Sequence, residues 1–202
     1  QLLCEETFGA LTVEQIGVLN RIQDSALELL RLIEMTLDLS RLQSRSVPLE
    51  IREVHVPTLI YEVEAGVHQL CGKPDLQVQW RVSPNLPVLQ TDAAKLKIVL
   101  RNLVTNALKF TEQGEVSISA TPWEQGVVFT VTDTGVGIAR EEIAFIFEPF
   151  RQRGAFATRR QGGIGLGLYI VQQLLDLLGG KISVQSELGR GSTFAIWLPV
   201  RR

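Results

Sequence analysis

Asp92-Ala-Ala-Lys-Leu-Lys-Ile-Val-Leu-Arg-Asn-Leu-Val-Thr-Asn-Ala-Leu-Lys-Phe110 is the stretch whose reading decides the fold. An aspartate stands where a helix needs an N-cap. Leu96, Val99, Leu100, Leu103 and Leu108 then recur at three- and four-residue spacing, which predicts one apolar face directed at a core. Asn102 and Asn106, four residues apart, project from one side of that helix, and Lys109 follows almost a turn later. An amide oxygen can ligate a hard cation that keeps its waters and bridges phosphates. A lysine on the same surface can meet a phosphate as a point charge. Taken alone, the trio is equally a solvated helix face.

Downstream, Glu115–Thr121 and Gly126–Thr132 alternate as a hairpin. Leu166–Leu178 reads as a helix stopped by Gly179-Gly180. Lys181–Ser186 and Ser192–Pro199 form a last hairpin turned by Leu188–Gly191. Upstream, Leu49–Val54 and Leu76–Val82 alternate as strands around a helix over Thr58–Leu70. The class is α+β, a two-layer sandwich of helices on a mixed, mostly antiparallel sheet.

Residues 1–46 read differently. Leu19, Ile22, Ala26, Leu29, Ile33 and Thr36 form a coiled-coil seam. Thr12 with Gln15 fits a capping box, which starts the helix near Val13. Thirty or so residues make a rod of about 45 Å. Residues 47–57 read as linker and first strand, with Pro48 and Pro57 setting a hinge between Ser44 and Pro57. The second domain covers 49–202.

Composition narrows the function. The 202 residues carry 20 Lys and Arg against 22 Asp and Glu, a formal charge of -2. That balance argues against a nucleic-acid partner held by counterion release. No apolar run approaches the length needed to cross a bilayer. Cys4 and Cys71 form no metal or redox motif, which fits a reduced, cytoplasmic setting.

Three further clusters carry candidate chemistry. Asp133-Thr-Gly-Val-Gly-Ile138 closes an apolar strand, where Gly135 and Gly137 permit a turn and a closely placed flat ligand. Gly162-Gly-Ile-Gly-Leu-Gly167 runs into a helix and offers backbone amides to a phosphate. It follows no strand and lacks a Gly-Lys-Ser/Thr ending, so neither a Rossmann nor a P-loop reading fits. Gly189-Arg-Gly-Ser-Thr-Phe194 sits between the last strands. Phe147-Glu-Pro-Phe150 could anchor a mobile stretch by burying two rings, and Arg151, Arg153, Arg159 and Arg160 make that stretch basic.

Each cluster is ambiguous, but their order resembles the asparagine, first-glycine, phenylalanine, second-glycine and later glycine motifs of the sensor histidine kinases. Residues 49–202 resemble the Bergerat-type ATP-binding domain of the superfamily that also holds gyrase, Hsp90 and MutL. Residues 12–46 resemble the second helix of the dimerisation and histidine-phosphotransfer hairpin. The resemblance implies that Asn106 ligates a Mg²⁺ bridging the phosphates of ATP, with Asn102 in support and Lys109 on phosphate. Asp133 would accept from the adenine amine, with Gly135, Gly137 and Ile138 around it, Phe110 packing on the base and Thr193 near its end. Gly163, Gly165, Leu166 and Gly167 would serve the phosphates, Arg159 or Arg160 the terminal one. Phe150 would border the site.

Hydrolytic members carry a glutamate where Asn102 stands, and an amide is a poor general base, so transfer to a protein acceptor is favoured over hydrolysis. His55 and His68 lack the acceptor's context, so the phosphorylated histidine is expected outside this chain. The implied partners are a response-regulator receiver domain and a second copy joined through helix 13–43. The alternatives are a catalytically silent module of the same fold and an anti-sigma-type serine kinase.

Overall fold

The computed structural model describes residues 11, 12, 14–19, 21–23, 26, 48–68, 73–151 and 165–201. The chain divides into two compact units, Gln1–Val47 and Pro48–Arg202. In the first, residues 14–19 and 21–23 are helical. The Thr12 N–H donates to Gln15 Oε1 at 2.9 Å, and the Gln15 N–H donates to Thr12 Oγ1 at 3.2 Å. This reciprocal pair is the expected capping box, and it satisfies two amides that a helix start leaves without partners. Ile22, a seam residue, is exposed. The rest of the seam, from Leu29 on, lies outside the described residues.

The second unit runs β1 (Arg52–Val54), α1 (Val56–Val67), β2 (Leu76–Val82), β3 (Leu89–Thr91), α2 (Ala93–Phe110), β4 (Gly114–Trp123), β5 (Gly126–Asp133), a 3-10 turn (Ile143–Phe145), α3 (Gly167–Leu178), β6 (Lys181–Glu187) and β7 (Gly191–Pro199). Five strands form one sheet in the order β2-β4-β5-β7-β6. The β2–β4 pair is parallel, and the other pairs are antiparallel. Strands β1 and β3 form a separate antiparallel pair, with Arg52 opposite Thr91.

Alternation in the strands builds the core. Val127, Phe129 and Val131 of β5 and Phe194, Ile196 and Leu198 of β7 are buried on one face. Leu96, Val99, Leu100, Leu103, Val104, Ala107 and Leu108 of α2 are buried, as are Ile170, Val171, Leu174, Leu175 and Leu178 of α3. Each of these Val, Leu, Ile and Phe side chains contributes about 1.5–3 kcal/mol when fully removed from water. Helix α3 stops at Gly179, which adopts φ 74° and donates its N–H back to the last turn. Pro122 lies in β4 beyond Ala120, the last residue paired with β2, so its missing N–H removes no bond from that ladder.

Local chemistry explains where the observed elements depart from the expected ones. The first strand shrinks from Leu49–Val54 to Arg52–Val54. The Glu50 N–H is committed to Asp92 Oδ2 at 3.0 Å instead of to a ladder. Helix α1 begins at Val56, not Thr58, because Pro57 sits in the first turn, where a missing N–H costs nothing. His55 is its N-cap and His68 its C-cap. Residues 48–57 therefore belong to the folded second unit. Strand β3 carries no alternation long enough to read in advance.

Candidate functional site

Helix α2 is the spine of the site. Its start is held by Asp92, which is buried and accepts from the Lys95 N–H at 3.1 Å and the Lys95 ammonium at 2.5 Å. Burial pushes the Asp92 carboxyl up, but the hydrogen bonds from Lys95 and Glu50 and the Lys95 charge outweigh it and hold the group below its ordinary value.

Midway along α2, Asn102 and Asn106 are half-buried. The Asn102 amide donates to Ile98 O at 2.8 Å, which fixes the side chain against its own helix. The first residue of α3, Gly167, abuts the pair. A side chain there would place its Cβ 3.2 Å from Asn102 Oδ1 and 3.9 Å from Asn106 Nδ2. Residues more than sixty positions apart in the chain, Gly167 with Asn102 and Asn106, thus meet, and the amide-bearing start of α3 faces the two asparagines. Leu166 is fully buried and caps α3 through its backbone.

The other half of the site is the end of β5. Asp133 is buried, and its Oδ1 accepts from the Gly135 N–H at 2.9 Å. Gly137 adopts φ 62° with its Cα against the Glu187 backbone, a conformation and a contact that exclude any side chain. The loop is tied down by Gly189 N–H to Val136 O at 2.8 Å and by Ile138 N–H to Ser186 Oγ at 2.7 Å.

The two halves join at the C-terminal end of α2. The Val136 N–H donates to Phe110 O at 3.3 Å. A Cβ on Gly135 would collide with Phe110 O and fall 2.8 Å from Thr111 Oγ1. The Lys109 ammonium stands 5.6 Å from the Phe110 ring centre. Helix α2 therefore carries the asparagines on its flank and the aspartate loop on its end.

Strand register alters the reading of Thr193. It pairs with Thr132 on the face away from the helices, and the two hydroxyls lie 3.2 Å apart. Ser192, one residue earlier, is buried opposite Asp133, with its hydroxyl 2.9 Å from that of Ser186. The inward run Phe194, Ile196, Leu198 extrapolates to Ser192, so the signal was present in the period of two. Phe150 also departs from expectation. The residue is 66% exposed and its backbone takes φ 63°. Its N–H donates to Gly165 O at 3.0 Å, so the backbone, not the ring, does the anchoring. Arg159, Arg160 and Gly163 lie outside the described residues. Lys73 and Thr111 had no motif to mark them.

Among the described residues no cluster of three or more His, Cys, Asp or Glu could hold a metal. No described helix is long and apolar enough to cross a membrane. A separate cavity of about 780 Å³, lined by Glu124, Gln125, Trp197, Pro199, Val200 and Arg201, lies at the Gly126 end of β5, away from Asp133.

Residues 91–202 match the family described as histidine kinase-, DNA gyrase B-, and HSP90-like ATPase. The chain is 36% identical over 197 residues to the circadian input-output histidine kinase CikA of Synechococcus elongatus, covering 95% of this chain and 26% of CikA. It is 33% identical over 211 residues to the autoinducer 2 sensor kinase/phosphatase LuxQ of Vibrio vulnificus, covering 100% of this chain and 24% of LuxQ. The chain thus spans about a quarter of the length of these relatives. Among solved structures, full-length ShkA in complex with AMPPNP superposes with a TM-score of 0.79 at 34% identity, over 94% of this chain and 40% of ShkA. The catalytic domain of the histidine kinase ThkA superposes with a TM-score of 0.65 at 28% identity, over 75% of this chain and 97% of that domain. The five-stranded mixed sheet with its packed helices agrees with these matches, and the chain belongs to the histidine kinase-, DNA gyrase B- and HSP90-like ATPase family, whose ATP-binding domain it carries.

Proposed function

We propose that the chain is the catalytic part of a sensor histidine kinase, which transfers the γ-phosphoryl group of MgATP to a histidine outside residues 1–202. The observation that carries this reading is the meeting of Asn102 and Asn106 with Gly167. It sets two amides against the positive end of α3, where a polyphosphate is favoured. Asp133, buried at the end of β5, accepts from the exocyclic amine of adenine. Asn106 would hold Mg²⁺ with Asn102 in support, and Lys109 would meet phosphate. Bound Mg²⁺ neutralises charge on the phosphates. The work left to the protein is positioning and electrostatics.

Asn102 supports kinase over hydrolase chemistry. Its amide is spent on Ile98 O, and it has no basic group to orient a water. In transfer, the bond from the γ-phosphorus to its bridging oxygen breaks and a bond to the acceptor imidazole nitrogen forms, leaving ADP. A response-regulator receiver domain then takes the phosphoryl group, and pairing through helix 13–43 brings two copies together.

Calorimetric titration of the chain with ATP tests this reading. Binding is expected with Mg²⁺, and Asn106→Ala should weaken it by about 10–100-fold, the cost of losing a charge-assisted contact. Absence of ATP binding by the unaltered chain would overturn the assignment.

A further inference from the structure

The end of α2 is held by a cation from a distant part of the chain. The Lys73 ammonium, half-buried, donates to Leu108 O at 2.7 Å and to Thr111 O at 2.8 Å. These are carbonyls of the last helical turn and of the C-cap residue. A cation there is favoured by the helix dipole and by the carbonyls a helix end leaves without partners. Between the two acceptors lie Lys109 and Phe110. Phe110 O receives the Val136 N–H at 3.3 Å, and Gly135 packs on Phe110 O and on Thr111. The Thr111 N–H is itself bonded to Ala107 O at 3.1 Å. Lys73 therefore grips the segment that carries a phosphate-side residue on one side and supports the Asp133 loop on the other.

From this geometry we infer that Lys73 is a positioning residue for nucleotide binding: by clamping Leu108 O and Thr111 O, it sets the distance between the Asn106–Lys109 flank and the Asp133–Gly137 loop. It touches no phosphate and acts through the helix end. A purely structural lysine would lower stability and leave the folded site unchanged. A positioning lysine changes the site as well. The inference rests on the ATP-binding reading above, and the experiment separates the two.

ATP affinity of the unaltered chain, Lys73→Met, Lys73→Arg and Lys97→Met is measured at a temperature where circular dichroism shows each folded. Lys97 lies on the same helix, pairs with Glu62 at 2.7 Å on the surface and serves as the control. Lys73→Met is expected to weaken ATP about tenfold, because small displacements of binding groups are costly. The amide resonances of Gly135 and Val136 are expected to shift with it. Lys73→Arg, which keeps the charge and can span two carbonyls, should recover most of the affinity. Lys97→Met should change nothing. If Lys73→Met does not fold, Lys73→Gln is read by the same criterion. Unchanged affinity and unchanged Gly135 and Val136 resonances in a folded Lys73 variant would overturn the inference, while loss of binding in the unaltered chain would overturn only the reading beneath it.

Discussion

The two ends of helix α2 solve the same physical problem with different consequences. At the N-terminal end, orphan amides are met by Asp92, whose charge is answered by Lys95 three residues away and by the Glu50 N–H. Asp92 and Lys95 belong to the helix start itself, Glu50 lies just before β1, and no candidate site residue takes part. At the C-terminal end, orphan carbonyls are met by Lys73, which belongs to the approach to β2, and the same turn bears Lys109, Phe110 and the contact to Gly135. The first end anchors the fold, whereas the second couples the fold to the site. The difference teaches that what lies around a capped helix end, and not the capping chemistry, decides whether that end serves the fold or the site.

Removing each end's key carboxylate should separate stability from binding. Asp92→Ala deletes a cap and removes the counter-charge of the half-buried Lys95 ammonium, so a loss of about 2–4 kcal/mol is expected in urea unfolding. ATP affinity of the folded fraction should stay within about twofold, since the cap touches no site residue. A tenfold affinity loss would break the comparison. Asp133→Ala is expected to do the reverse. ATP binding should weaken by about 1.5–3 kcal/mol, seen by calorimetry, because a charged acceptor is lost. Its unfolding midpoint should move less than that of Asp92→Ala.

Acid titration sharpens the contrast by a smaller amount. The folded pKa of Asp92 lies below its unfolded value, so the unfolded chain takes up the proton first. The stability it contributes is complete above the ordinary aspartate value of about 3.9 and is lost as pH falls through the lower folded value. Asp92→Asn keeps a capping oxygen but not the charge. Unfolding of the unaltered chain should therefore become easier below about pH 4 to a greater extent than in Asp92→Asn. Parallel pH profiles would place the stabilisation elsewhere.

Much of the fold was legible in the residues because its signals are local. The Asp92 cap, the stripe from Leu96 to Leu108, the stop at Gly179 and both late hairpins each depend on neighbours within a few positions. The candidate site was legible as a set of motifs. Its geometry was less so. Thr193 differs from Ser192 only by which face of β7 it occupies, and a register set by cross-strand partners decides that. Phe150 reads as a buried aromatic from its composition, yet its left-handed backbone turns the ring to solvent. Strand β3 is too short for periodicity, and its pairing with β1 depends on the chain returning across α1 and β2.

By itself, then, the sequence determined the elements, their class, the α2 helix with its amides on one flank, and the ordered glycine motifs that mark an ATP-binding family. These follow from spacing and backbone preference, which act over one or two turns. Tertiary structure alone decided that Gly167 meets Asn102 and Asn106, that Ser192 pairs directly with Asp133, and that Lys73 reaches Leu108 and Thr111. Those contacts join residues tens of positions apart, and only packing of the helices on the sheet fixes such distances.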